Sequence, residues 1–171
     1  MLHNNFIRFL ISVSVLLITS NSWALPTDSR QPIEIEADTA TIDNGKGQAV
    51  YTGHVVITQG SIRIQAEKVT LHFTAQQNLN KVVATGQPVQ FKQTPNKGKE
   101  DIHAKAKQMD YFAKQDMLHL KQKAEVWQGK DTLVGETIKY NTKTGVMQAS
   151  KGKNKNDKVI VVIHPGKQSN K

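Results

Sequence analysis

The chain of 171 residues contains no cysteine, which excludes disulfides, cysteine-ligated metal sites and a thiol nucleophile. It carries 23 lysines and arginines against 14 acidic residues, a net charge of +9 that favours acidic partners or simply keeps a sheet protein soluble. Aromatic residues make up 6% of the chain, and we find no basic, aromatic-rich platform of the kind that stacks nucleic-acid bases.

The first 24 residues have the pattern of a cleaved secretory signal peptide. Arg8 supplies a positive charge, residues 9–18 form an apolar run, and Ser22 and Ala24 place small residues at positions −3 and −1 of a cleavage site. The apolar run is short for the ~20 residues of a membrane-spanning helix, which favours cleavage over a retained anchor. Export of the remaining 147 of the 171 residues argues against nucleic acid as a partner.

Residues 25–30 form a polar lead-in that we expect to be flexible, and alternating patterns begin at Gln31. From Gln31 to Phe73, apolar and polar residues alternate in short runs separated by glycines, which is typical of half-buried antiparallel strands joined by tight turns. The apolar positions of these runs are Ile33, Ile35, Val55, Ile57, Ile62, Ile64, Val69, Leu71 and Phe73.

A weak repeat extends the strand pattern along the chain. An aliphatic residue, then Ala or Gly two positions later, then an alternating run recurs from Ile35, Ile64, Ile102 and Leu133, at spacings of 29, 38 and 31 residues. Repeated strand units bury their apolar faces only against neighbours. Residues 104–115 also fit an amphipathic helix, but the repeat favours a strand there.

The last part of the domain combines a charged run and an apolar run. Residues 151–157 have no apolar anchor and predict a solvated loop or flexible joint. The five β-branched residues from Val159 to Ile163 are typical of a strand buried on both faces, and at the chain end they are also candidates to pair with a neighbouring molecule. We assign residues 31–165 to one β domain and 166–171 to a polar C-terminal tail.

Motifs for catalysis are missing from the sequence. It has no G-x-S-x-G, no H-E-x-x-H, no Gly-rich phosphate loop and no paired His/Cys ligands. Glu34 and Glu36 share one face as a carboxylate pair would, but their alternation with Ile33 and Ile35 makes them the solvent side of a strand. We therefore expect no catalytic residue, no metal and no cofactor.

Four segments carry a family resemblance: QPIEIEAD at 31–38, YTGHVVITQGSIRIQAEKV at 51–69, GQPVQF at 86–91 and QMDY at 108–111. They resemble the LptA (OstA-like) family of periplasmic lipopolysaccharide transport proteins, and the similarity extends over residues 31–165. The resemblance implies an all-β fold, a single open, twisted antiparallel β-jellyroll of about sixteen strands. In that family the apolar interior carries the acyl chains of lipid A, and protomers join end to end between the inner and outer membranes.

The resemblance also implies a site and partners. Carried over by motif, Ile33, Ile35, Phe91 and Tyr111 line the lipid-binding interior, and Phe73 is an apolar lining position only. The apolar faces of the central strands complete this predicted lining with Val55, Ile57, Ile62, Ile64 and Leu71. The implied partners are lipopolysaccharide through lipid A, the inner-membrane Lpt complex through its periplasmic OstA-like domain, the outer-membrane Lpt translocon and further copies head to tail, all in the periplasm.

The basic joint at 151–157 is longer than the family pattern predicts.

Physical chemistry agrees with a carrier. Exposing an acyl chain to water costs about 0.8 kcal/mol per methylene, so a lipid with several chains needs an apolar enclosure to cross an aqueous compartment. An open sheet also leaves unpaired backbone groups at its two edges, and pairing of unlike edges makes filaments. We expect one edge to contain Ile33, Ile35 and Ala37 and the other to contain Val159, Val161 and Ile163.

Two alternatives stay open at this point. The first is an exported β-sandwich that binds acidic polysaccharide through surface lysines and Trp127; it predicts saturable binding to delipidated polysaccharide. The second is a membrane-anchored adaptor of the same superfamily, which requires an uncleaved N-terminal helix. The cleavage pattern at Ser22 to Ala24 argues against it.

Overall fold

The computed structural model describes Asp28, residues 31–95 and residues 99–165. The predicted signal peptide, the lead-in apart from Asp28 and the tail at 166–171 lie outside the described residues. Within these ranges no helix is long and apolar enough to cross a membrane. The described strands are β1 (Glu34–Glu36), β2 (Thr39–Asp43), β3 (Gln48–Gln59), β4 (Ile62–Phe73), β5 (Leu79–Gln93), β6 (Ile102–Phe112), β7 (Met117–Gln128), β8 (Asp131–Asn141), β9 (Met147–Ser150) and β10 (Ile160–Val162).

All ten strands belong to one antiparallel sheet in which β3 to β8 pair in chain order. At one end of the sheet, β1 and β2 pair with different parts of β3, and at the other end β9 and β10 pair with different parts of β8. Residues 104–115, whose pattern also fitted an amphipathic helix, form most of strand β6 and the short 3-10 turn at Ala113–Gln115 that follows it. The all-β, open antiparallel fold predicted from the sequence is confirmed.

A register shift interrupts every long strand near its middle, and the shifts line up across the sheet. They fall around Gly53 in β3, Glu67 in β4, Gly86 in β5, Lys107 in β6 and Gln122 in β7, and the shift in β7 continues into β8. A β-bulge bends its strand and increases the local twist, so aligned bulges bend the whole sheet along one line. If each of the six long strands counts as two segments, the ten strands become the predicted sixteen.

The bend divides the sheet into two wings that face each other. We call residues 34–36, 55–59, 62–66, 89–93, 102–106, 124–128, 131–135 and 160–162 the first wing. The second wing contains residues 39–43, 48–52, 68–73, 79–85, 108–112, 117–121, 137–141 and 147–150. Phe91 of the first wing packs edge-on against Tyr140 of the second, with ring centroids 6.4 Å apart. The apolar core therefore lies between the wings.

The buried residues follow the alternation in each wing and change parity at the bend. In β4, Ile62 and Ile64 are buried before Glu67, whereas Val69 and Leu71 are buried after it. The extra residue at the bulge switches which face the next side chains occupy, so both halves of the strand direct apolar side chains inward. Most of the buried residues along the bend are small, namely Ala84, Gly86, Ala106, Ala124 and Gly135.

The interpretation of Val159–Ile163 as a strand buried on both faces is wrong. Only residues 160–162 form a strand, β10, which pairs with β8 on one side and lies at the end of the sheet. Val161 is 56% exposed and Ile163 is 73% exposed, because none of the ten described strands covers them. The alternative offered by the same run, pairing with a neighbouring molecule, is still open.

A buried carboxylate lies on the outer face of the second wing. Asp110 is 1% exposed, and its Oδ2 accepts hydrogen bonds from Lys121 Nζ at 2.8 Å and Lys81 Nζ at 3.0 Å. Its Oδ1 accepts a hydrogen bond from Gln108 Nε2 at 2.8 Å. Burial raises the pKa of Asp110, but Gln108 and the two lysines outweigh burial, so the pKa lies below the usual 3.8. The charged carboxylate of β6 thus links its strand to Lys81 of β5 and to Lys121 of β7.

The small residues of the bend line predict that extra volume there destabilises the fold. We expect Ala106→Leu to lower the free energy of unfolding by about 1–3 kcal/mol, because the buried Ala106 side chain has no space to grow. Urea unfolding measures the effect, with Ala40→Leu on the exposed face of the edge strand β2 as the control. Equal losses in the two variants would contradict close packing at the bend.

The lowered pKa of Asp110 predicts a pH-dependent contribution to stability. The contribution is complete above the ordinary carboxyl pKa and is lost as the pH falls through the lower pKa of the folded state. We therefore expect Asp110→Asn to be less stable than the wild type at pH 7, and the difference to shrink below about pH 4. Unfolding free energies of both proteins between pH 7 and pH 2 measure it; a difference independent of pH would refute the ion-pair account.

Candidate functional site

A narrow apolar cavity lies between the wings. The first wing and the residues before it contribute Ile33, Ile57, Gln59, Ile62, Ile64 and Phe91; the second wing contributes Leu71, Leu79, Val82, Tyr111 and Leu118. The cavity volume is about 30 Å³, which is room for about two water molecules. The wings close on each other, and their side chains fill most of the interior.

The predicted lining residues all lie on or beside the core between the wings. Val55, Ile57, Ile62, Ile64, Leu71 and Phe91 are buried in it, while Ile35, Phe73 and Tyr111 are half-buried and pack against it. Ile33 is 38% exposed and reaches the cavity from outside the sheet. Sequence reasoning did not assign Leu79, Val82 and Leu118 to the site. The alternation of apolar and polar residues in their strands is the sequence signal that could have assigned them to the inner face.

A wider opening of about 380 Å³ lies at the β2 end of the second wing. Ile42, Ala49 and Leu71 pair across neighbouring strands and therefore share one face, and Leu71 also lines the cavity. Tyr51 and Phe73 lie beside them in the opening, and Ile42 is 66% exposed. The inner apolar face thus continues from the cavity through the buried Ala49 to Ile42 at the end of the sheet, which the described residues leave exposed.

The opposite end of the sheet also exposes apolar residues. Val159 is 37% exposed, and Val161 and Ile163 are more so. The predicted edge residues Ile33, Ile35 and Ala37 lie at the β1 end, and the predicted residues Val159, Val161 and Ile163 lie at the β10 end. Among the described residues, the edge strand at each end pairs on one side only, and each end exposes apolar side chains such as Ile33 at the β1 end and Val161 at the β10 end.

Two tyrosines bring polar groups into the interior. Burial, together with the nearby charge of Asp116, raises the pKa of Tyr111 to about 12, and burial also raises the pKa of Tyr140. Both hydroxyls therefore stay protonated at neutral pH and act as donors. Tyr111 donates to Asp116 Oδ1 at 3.4 Å and Tyr140 to Gln93 Oε1 at 3.1 Å.

The chemistry of the site is that of apolar contact. Among the residues that the structure describes, no group of three or more His, Asp or Glu side chains is placed to hold a metal ion. In the same ranges, every buried side-chain nitrogen or oxygen has a hydrogen-bond partner. The side chains that face the cavity can exclude water from an apolar ligand but offer it few directional contacts.

Comparisons with known proteins agree with this geometry. The family model described as "LptA/(LptD N-terminal domain) LPS transport protein" matches residues 34–146. The chain is 31% identical over 170 residues to the lipopolysaccharide export system protein LptH of Pseudomonas aeruginosa, which covers 96% of this chain and 97% of that protein. It is 35% identical over 158 residues to LptA of Haemophilus influenzae, covering 91% of each.

A solved structure is similar over most of the fold. The crystal structure of Pseudomonas aeruginosa LptH, described as the LptA homologous periplasmic component of the lipopolysaccharide transport device, matches with a TM-score of 0.76. The match has 33% sequence identity and covers 82% of this chain and 100% of that one. The chain therefore belongs to the LptA/LptD N-terminal domain family of lipopolysaccharide transport proteins.

Proposed function

We propose that this protein is a periplasmic carrier of lipopolysaccharide that holds the acyl chains of lipid A between its two wings. The observation that carries the proposal is the inner apolar face, which runs through the whole sheet and is uncovered at both ends. The names of the LptH and LptA relatives support the same substrate. Export by the predicted signal peptide would deliver the chain to the periplasm.

The closed wings leave too little space for an acyl chain, so loading requires them to separate. The cavity of about 30 Å³ is a small fraction of the volume of even one lipid chain. Separation would exchange contacts between the wings for contacts between each wing and the lipid. Because both states keep apolar surface away from water, the exchange requires little free energy.

The two ends of the sheet are the proposed contact surfaces for partners. The unpaired side of β1 or β2 on one molecule can pair with the unpaired side of β9 or β10 on the next, which extends the sheet and joins the inner faces. The family model itself covers both LptA and the N-terminal domain of LptD. A homologous domain can therefore continue the same sheet, and we propose such contacts with the outer-membrane Lpt translocon and with the OstA-like domain of the inner-membrane Lpt complex.

The alternative of polysaccharide binding through Trp127 is weaker in the folded protein. His103 stacks on the Trp127 ring with centroids 5.2 Å apart, and Lys105 Nζ lies 5.7 Å from the ring centroid. His103 and Lys105 therefore lie against the indole surface on which a sugar ring would stack. The alternative of a membrane-anchored adaptor depends on residues 1–24, which lie outside the described residues.

A charge placed at the cavity should weaken lipid binding. Phe91 is 3% exposed, so an aspartate there would threaten the fold, whereas Ile33 lines the cavity and is already 38% exposed. We expect Ile33→Asp to lower the affinity for purified lipid A about tenfold or more, because a carboxylate against acyl chains loses its hydration. The control is Ile160→Asp, which alters an exposed edge isoleucine outside the cavity. If Ile33→Asp keeps its fold by circular dichroism and binds lipid A with unchanged affinity, that result would count against binding of the acyl chains between the wings.

Removal of the β10 edge should reduce self-association. We expect a chain ending at Lys158 to lose most of the oligomers that the full chain forms, because the exposed backbone and apolar side chains of β10 are then missing. Light scattering at matched concentrations measures the size distribution, and a chain ending at Pro165 is the control. The same oligomer ladder in both truncated chains would refute a role for β10.

A further inference from the structure

A polar bridge crosses the apolar interior between the wings. Gln93 belongs to the first wing and is 6% exposed, and Tyr140 belongs to the second wing and is 1% exposed. The Tyr140 hydroxyl donates a hydrogen bond to Gln93 Oε1 at 3.1 Å. The two residues are far apart on the sheet surface, because β6 and β7 separate their strands in the pairing order. The bond therefore joins the wings directly rather than through neighbouring strands.

Asp28 holds the other side of the Gln93 amide. Gln93 Nε2 donates to Asp28 Oδ2 at 3.0 Å, which directs Oε1 toward Tyr140. The backbone amide and the hydroxyl of Ser61 donate to the two Asp28 carboxylate oxygens, each at 2.8 Å. The chain of bonds thus runs from the turn between β3 and β4, through Asp28 and Gln93, to Tyr140 on the opposite wing.

The electrostatics agree with this geometry. Burial raises the pKa of Tyr140, and the charge of Asp28 adds to the increase. A carboxylate that faces the Gln93 amide on one side leaves the tyrosine hydroxyl as the donor of the bridge. Tyr140 therefore donates and Asp28 accepts, while Gln93 donates through Nε2 and accepts at Oε1.

We propose that Asp28, Gln93 and Tyr140 form a clasp that keeps the wings closed in the unloaded protein and must open for acyl chains to enter. This inference rests on the proposed function. A single buried hydrogen bond makes only a modest net contribution, so the clasp favours the closed state without locking it. The three residues are gating residues for lipid loading.

The position of the clasp links it to the cavity. Tyr140 packs edge-on against Phe91, and Phe91 lines the cavity. Movement of Tyr140 away from Gln93 also removes this support from Phe91, which frees the cavity wall to move outward. The clasp and the space for the lipid therefore change together.

The absence of native cysteine allows the opening to be measured by a pair of introduced spin labels. Lys114 follows β6 at the tip of the second wing, and Lys130 follows β7 at the tip of the first wing; both are exposed. With labels at Lys114→Cys and Lys130→Cys, we expect Tyr140→Phe to give a longer or broader distance distribution without lipid. We also expect uptake of purified lipid A to be roughly fivefold faster, the population change that corresponds to loss of one buried hydrogen bond.

The matched control is Thr142→Val. Thr142 lies two residues after Tyr140, and its hydroxyl donates to the Asp116 carbonyl at 3.2 Å, beside the tip of the second wing. This variant also loses one hydroxyl but no contact between the wings, so we expect wild-type distances and uptake. Asp28→Ala, which frees the Gln93 amide while leaving Tyr140 in place, is the second test and should change both readouts in the same direction as Tyr140→Phe.

The outcomes separate the two proposals. Unchanged distances in both Tyr140→Phe and Asp28→Ala would overturn the clasp, and so would longer distances with unchanged uptake. If Tyr140→Phe fails to fold, Asp28→Ala decides by the same criteria. Failure of the wild-type chain to take up any lipid A would instead overturn the proposed function, and the distances would still show whether the clasp holds the wings closed.

Discussion

The register shifts of β3 to β8 fall on one line across the sheet, and the architecture of the molecule follows from that alignment. A flat sheet of these strands would have one apolar face exposed to water along its whole length. Because the bulges coincide, the sheet bends along one line and covers that face with itself. Small residues such as Ala106 and Gly135 on the bend line let the wings approach closely.

Closing the sheet on itself gives an interior suited to a reversible apolar ligand. The wings protect each other from water when no ligand is present, and acyl chains can replace one wing as the partner of the other. Polar contacts between the wings, such as Tyr140 to Gln93, then decide how readily the exchange begins. A carrier needs this balance, since an interior that closed too tightly would not load and one that stayed open would expose its apolar face.

The ends of the sheet follow a different rule from the middle. Edge strands in most proteins are protected by charge, by proline or by bulges, because an open edge recruits other strands. Here β10 exposes apolar side chains at the end of the sheet after an exposed, basic connection at 151–157. An edge that keeps both its backbone groups and its apolar side chains accessible is suited to pairing with another domain of the same fold.

Alternation is a local property of the chain, so the amino-acid sequence alone was enough to define the strands and the inner face. The period of two assigns Val55 and Ile57 to one face, as it does Ile62 and Ile64. The family motifs predicted that the strands form a jellyroll. Only the folded chain revealed that Val159–Ile163 is exposed, and that Asp28, Gln93 and Tyr140 form one chain of hydrogen bonds. The bond between Tyr140 and Gln93 depends on the bend, which brings together residues 47 positions apart in the chain. The bond between Asp28 and Gln93 joins residues 65 positions apart, and no local pattern encodes contacts over such distances.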